Sequence, residues 1–299
     1  MGSVENVARG AGRISGALTG PDIPSPRPRR RVPARDPVRT VIRTVGEAFI
    51  TLGVVVLLFV VYEIYVTDLI SAGLQRDATA ALDDRWKSEE PEPDRVDHFD
   101  GLREGEGFAK MYIPAFGSDF QFTIIEGTTE KSLEVGPGHY TDTAYPGEPG
   151  NFAVAGHRVG KGAPFNDIDL INPCDAIIVE TRHSWYVYRM LPNADQKATW
   201  ASAKTRNPRC ANVNVLGEPY QEVVGQEIVR PNQGSVIAPI PHDPASTSSV
   251  GERVALMTLT TCHPKFSDRE RLIVHAALDT QIPKDQLPAG EPPPQMREG

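Results

Sequence analysis

The stretch Thr258-Leu259-Thr260-Thr261-Cys262, followed by the polar run His263–Glu270 and then Arg271-Leu272-Ile273-Val274, decides how this chain is read. Both apolar segments are rich in β-branched residues, which favour the pleated backbone, and the run between them carries Pro, Ser and Asp of the kind that reverse a chain. Two strands joined this way pair antiparallel. Arg271, nine residues after Cys262, then returns beside the thiol.

A second segment lies upstream. Val154-Ala155-Gly156-His157-Arg158 reads as a strand that ends in Gly and delivers a His. Cys262, His157 and Arg271 together supply a nucleophile, a proton carrier and a cation for a developing oxyanion, the parts of a thiol acyl-transfer site. Each has a plain alternative: a small buried hydrophobe, a turn residue and a surface charge. Around them, short β-rich runs alternate with Gly, Pro and Asn turns. They are Ala109–Pro114, Phe120–Glu126, Asn151–Ala155, Ala176–Thr181, Trp185–Met190, Val236–Ile240, Arg253–Thr261 and Arg271–Leu278. About eight strands without strong helical periods between them predict a mostly β chain, as an antiparallel barrel or sandwich.

The rest of the 299 residues is organised by charge and hydropathy. Residues 1–46 hold nine Arg, no Lys and three acids, a balance of +6, and read as a disordered basic tail. The remaining residues carry −14, which argues against a nucleic-acid partner. Ala48–Val66 is apolar on every face with one charge, Glu63, and at roughly 28 Å of helix it matches a bilayer core. Forty-seven residues precede it and no good small-residue cleavage site follows, so 47–67 reads as a transmembrane helix rather than a signal peptide. Arg on its N-terminal side places the N-terminus in the cytoplasm and the remainder outside. Residues 68–106 read as a stalk and acidic linker, 107–282 as the catalytic domain and 283–299, with its Pro, as a loose tail. His263 and His275 are expected to point away from the thiol or into the core. With no close cluster of His, Cys and acids, no metal site is expected.

TLTTC followed by HPKFSDRERLIV, with GHR upstream at 156–158, resembles the signature of the sortases. The run Gly136-Pro137-Gly138-His139-Tyr140 through Pro146–Phe152 is most similar to the class E sortases of high-GC Gram-positive bacteria. The resemblance covers roughly residues 107–280 and implies an eight-stranded sortase β-barrel with short helices, preceded by the membrane helix. It implies transpeptidation: Cys262 attacks the carbonyl between Thr and Gly of a C-terminal LAxTG- or LPxTG-type sorting motif, His157 moves the proton, and Arg271 steadies substrate or oxyanion. The implied partners are surface proteins bearing the motif, an amine from a peptidoglycan precursor or a pilin lysine, and the lipid bilayer; no cofactor and no calcium site are implied. Tyr140, in the Gly/Pro-rich loop, is expected to favour Ala over Pro in the motif. Thr261 either sets a hydroxyl or amide beside the oxyanion or simply fills the strand. In an oxidising compartment, a free Cys262 leaves Cys174 and Cys210 as a possible disulfide, Cys174 standing in a turn where sortases more often carry Gly.

Competing readings are separated by residue order. Papain-like enzymes place Cys before His, whereas His157 precedes Cys262 here. An L,D-transpeptidase-like wall cross-linking enzyme would carry His and Gly just before the Cys, where Thr260-Thr261 stand. A non-catalytic, membrane-anchored binding domain is the remaining alternative. The polar stretch 191–223 departs from the family pattern and leaves the motif preference open.

Overall fold

The computed structural model describes residues 37–88, 95–288 and 290–299. Among these, the first strands are β1 (Gly107–Tyr112), β2 (Gln121–Glu126), β3 (Gly138–His139), β4 (Gly150–Ala155) and β5 (Ala176–Glu180). They are followed by β6 (Ser184–Met190), β7 (Gln226–Val229), β8 (Ala255–His263) and β9 (Glu270–Pro283). The sheet runs β6-β5-β1-β2-β3-β4-β8-β9-β7, and a further pairing of β6 with β9 closes eight of these strands into a barrel. Pairings β2–β3 and β4–β8 are parallel and the others antiparallel, so the barrel is mixed.

Strand β9 makes the closure possible by its length. Of its 14 residues, Glu270–Ala277 run along β8 at one edge. At the other edge, Arg271–Val274 face β7, and residues from Ala276 onward face β6. Alternation with period two sends Met257 and Leu259 of β8, and Leu272, Val274 and Ala276 of β9, into the core. There they meet Phe152, Val154, Tyr188 and Met190, all fully buried. The opposite face of β8 presents Thr258, Thr260 and Cys262.

One sequence-read strand is absent. Val236–Ile240 is a tight turn of helix, Gly234–Ile237, continuing into extended chain. Pro239 and Pro241 have no N–H to give a ladder, and the carbonyls of Val236 and Ala238 instead accept from Asn151 Nδ2. The ladder position on β9 is taken by β7, whose four residues were too short and polar to stand out.

Two helices precede the barrel. Helix α1 (Pro37–Val61) starts well before the apolar block, is long and apolar enough to cross a membrane, and has no buried residue. Residues 1–36, most of the expected basic tail, lie outside the described residues. After a wide helical turn at Tyr62–Val66 comes α2 (Thr67–Ser88), which does not stand free as a stalk. It turns Ser71, Gln75 and Leu82 inward at helical spacing, all buried. Gln75 Nε2 donates to Thr123 O at 2.9 Å, and Thr123 N donates to Gln75 Oε1 at 2.8 Å. The side-chain amide takes the place of a strand where two-residue β3 leaves the edge of β2 uncovered. Arg85 pairs with Glu106 and donates to Gly107 O. Further along, Asp97 accepts from Thr181, His183 N and Tyr186, so the end of the acidic linker is bound to the barrel too.

The C-terminal segment is also docked rather than loose. Arg189 is buried on β6 and forms a two-pronged pair with Glu298, at 2.5 and 2.9 Å. A buried guanidinium needs such a carboxylate, a demand that Pro-rich composition does not reveal.

The departure at 191–223 builds a second apolar cluster. Leu191, Trp200, Val213, Tyr220 and Val223 pack with Ile240, Leu256 and a disulfide between Cys174 and Cys210. Cys174 sits at φ +76°, the left-handed region that favours Gly. Closing a loop of sequence separation 36 stabilises the domain by about 3–4 kcal/mol in the chain-entropy description. Cys174→Ala/Cys210→Ala is therefore expected to lower unfolding free energy by about that amount. Thiol titration of the unfolded, unreduced wild type should find one reactive group, and three would remove the crosslink from the account.

Candidate active site

The β8–β9 register sets Cys262 directly opposite Arg271. On the other side of β8, the parallel strand β4 pairs Ala155 with Thr260, and Gly156 N donates to Thr260 O at 3.0 Å. His157 therefore leaves β4 two residues beyond Ala155, just as Cys262 stands two residues beyond Thr260. Three separate segments thus deliver Cys262, Arg271 and His157 to one end of the sheet.

Each is held by its surroundings. Cys262 is half-buried and carries a free thiol. Arg271 Nη1 donates to the carbonyls of Asp268 and Glu270, at 2.8 and 3.0 Å, which fixes the guanidinium at the strand entrance. Gly156 is required by close approach, since a Cβ there would fall 2.6 Å from the Phe165 ring. His157 O accepts from Phe165 N at 3.0 Å, and among the described residues its buried Nε2 has no hydrogen-bond partner. An unsatisfied buried ring nitrogen at the same end of the sheet as a free thiol is a group waiting for a proton or a substrate atom.

The charge around His157 is arranged by one loop. Burial lowers its pKa below the ordinary imidazole value, and the nearby Lys161 cation lowers it further. Glu130 and Glu134, on α3 (Glu130–Val135), act in the opposite direction and pair with Lys161 at 3.0 and 3.1 Å. The first turn of α2 braces this loop: Lys161 N donates to Thr67 Oγ1 and Gly162 N to Asp68 Oδ1.

The remaining sequence-read residues fall on different faces. Tyr140 lies on the thiol's face, and its hydroxyl is 3.0 Å from Thr260 Oγ1, two residues from Cys262. Thr261 points the opposite way, and its hydroxyl donates to Gly156 O at 2.7 Å, bracing the end of β4 rather than facing the groove. Cys174 and Cys210 belong to the second cluster. His263 is not idle, since Arg158 Nη1 donates to its Nδ1 at 2.8 Å and contacts Cys262 O at 3.4 Å. Arg158, almost fully buried and paired with Asp169 at 2.9 Å, thereby ties the end of β4 to that of β8. It was visible only as the third letter of GHR, because its partners on β8 are about a hundred residues away. Glu227, His242 and His275 also meet, their ligating atoms within 4.8 Å of one another, although chain spacing predicted no such cluster.

The depressed His157 pKa gives a measurable expectation. Imidazole NMR signals should titrate below the ordinary value of about 6.5. Lys161→Met should raise the midpoint, since it removes a cation and frees Glu130 and Glu134. A midpoint that stays put would take Lys161 out of the site's electrostatics.

Known proteins share this fold. Residues 111–279 match the sortase domain family. The chain is 31% identical to sortase E1 of Streptomyces coelicolor over 86% of its own length and 63% of that relative's. Sortase E2 of the same organism is 28% identical over 88% of this chain and 92% of that protein. The solved structure of the SrtF sortase from Corynebacterium diphtheriae superimposes with a TM-score of 0.61 at 45% identity, covering 71% of this chain and all of that one. The chain belongs to the sortase family, a family of cysteine transpeptidases.

Proposed function

We propose that this chain is a membrane-anchored sortase whose nucleophile is Cys262, with His157 as proton carrier and Arg271 as the anion-stabilising group. The pairing of Cys262 with Arg271, next to the strand that ends in His157, carries this reading. Burial disfavours the His157 cation, so the ring rests neutral with a nitrogen open to the thiol proton and, once charged, gives that proton up readily to the leaving amine. The thiolate adds to the Thr carbonyl of a C-terminal LAxTG- or LPxTG-type motif, and Arg271 faces the resulting oxyanion. Collapse breaks the Thr–Gly bond, the imidazolium protonates the leaving glycyl amine, and a thioester remains on Cys262. An incoming amine attacks that thioester, gives its proton to His157 and releases the enzyme. A peptidoglycan-precursor amine is the favoured acceptor and a pilin lysine the second. Holding the enzyme by α1 beside membrane-held substrates raises their effective concentration.

The full-length protein in detergent, given LAxTG and LPxTG peptides plus an amine, tests the reaction. Cys262→Ala should abolish both cleavage and the thioester with the fold intact. Arg271→Lys should cost at least about 100-fold, because an ammonium lacks the forked planar donors of guanidinium. Tyr140→Phe should lower the preference for LAxTG over LPxTG, since it releases Thr260. Full turnover by Cys262→Ala would falsify the nucleophile. Acceptance of cell-wall stem peptides with no sorting motif would support an L,D-transpeptidase instead.

Orientation follows from charge. Arg39 and Arg43 lie at the N-terminal end of α1, which supports a cytoplasmic N-terminus and an extracellular barrel. Protease added to intact protoplasts should digest the barrel and spare the N-terminal segment. A protected barrel would reverse the topology.

A further inference from the structure

A chain of hydrogen bonds behind the thiol strand ends in a contact that needs a cation. Asn151 Nδ2 donates to the carbonyls of Val236 and Ala238, which fixes Asn151 Oδ1 as an acceptor. Thr258 Oγ1 donates its only proton to that oxygen at 2.7 Å. His275 Nδ1, 2.8 Å from the same hydroxyl, must therefore be the donor to it, and the ring carries its proton on Nδ1. Nε2 is left facing Glu227 Oε1 at 3.0 Å, and His242 Nε2 approaches the same oxygen at 2.7 Å. A carboxylate oxygen and a bare ring nitrogen are both acceptors. Contact at this range requires something positive between them: a proton, or a metal ion.

The setting has the marks of a ligand sphere. The three donors come from β7, the loop after it and β9, so only the fold assembles them. His275 is fully buried, and its Nδ1–H is anchored through Thr258 to Asn151, as a metal-binding His is oriented by a hydrogen-bonded neighbour. The side chains of His242 and Glu227 are 18% and 20% exposed, which leaves a route from solvent. Two imidazoles and one carboxylate suit zinc and its neighbours, whereas calcium and magnesium take oxygen ligands.

We infer that Glu227, His242 and His275 form a binding site for a zinc-class divalent transition metal. The site is separate from the thiol: His275 is four residues along β9 from Arg271, and the reading does not depend on the proposed reaction. A bound ion would pin β7 and the 230–242 loop to the strand that carries Arg271.

The test uses the full-length chain without a polyhistidine tag, in detergent, stripped with chelator and titrated with Zn2+ and with Co2+. It is run in wild type and in Cys262→Ala, so that thiol binding is recognised. About one equivalent should bind, with the visible absorption of Co2+ in a nitrogen–oxygen site and a rise in melting temperature. His242→Ala and Glu227→Gln should abolish saturable binding. Thr258→Val, which removes the anchor of His275 together with the bond to Asn151, should weaken it about 10–100-fold. Melting of the metal-free variants checks that they fold, and His242, on a loop rather than a strand, is the one least able to disturb the core. No saturable binding to wild type, binding unchanged in His242→Ala and Glu227→Gln, or binding lost in Cys262→Ala would each overturn the site.

Discussion

The register between β8 and β9 is the constraint on which the rest of this protein depends. Successive side chains on a strand point to opposite faces, so a slip of one residue would turn Cys262 into the barrel and bring Thr261 to the surface. The slip is opposed on both faces. Inward, Met257, Leu259, Leu272 and Val274 would exchange a dry core for solvent. Outward, Thr258 would lose its contacts with Asn151 and His275, a buried polar chain that is costly to leave unsatisfied. The position of the thiol is thus set by residues several positions away from it.

The same economy applies to His157. Its strand is parallel to β8, and parallel neighbours cannot be joined by a tight turn. About a hundred residues intervene, and the ends of the two strands are held by side chains instead: Thr261 to the Gly156 carbonyl, and Arg158 to His263. The helix that leads out of the apolar span adds a third brace. Through Thr67 and Asp68 it holds the loop that carries Lys161, and through Gln75 it completes the open edge of β2. The segment between span and barrel is therefore part of the catalytic domain's structure and not a passive tether.

The additions to the barrel are stabilised by different means. The 191–223 segment has too few apolar residues to form a core alone, so it shares Leu256 and Ile240 with the sheet and is fastened by the Cys174–Cys210 disulfide. The C-terminal segment is held by charge, with Glu298 joining Asp279 as a counterion to the buried Arg189.

Local chemistry was enough to read most of the strands and the apolar span, and it offered Cys262, His157 and Arg271 as the candidate trio. β-branched runs, hydropathy and the nine-residue return from Cys to Arg are properties of neighbouring residues, and they survive folding. What lay beyond the sequence depends on partners distant along the chain. Four-residue β7 becomes a strand only because β9 offers it an edge, and Val236–Ile240 fails as one because two prolines and Asn151 claim it. The docking of α2 needs the gap left by β3, and the meeting of Glu227, His242 and His275 needs three segments of one sheet edge. Sequence alone determined which residues could react and which segment could cross a bilayer. Only the tertiary structure decided which polar side chains are buried together, because burial and hydrogen-bond satisfaction are properties of the whole packed chain.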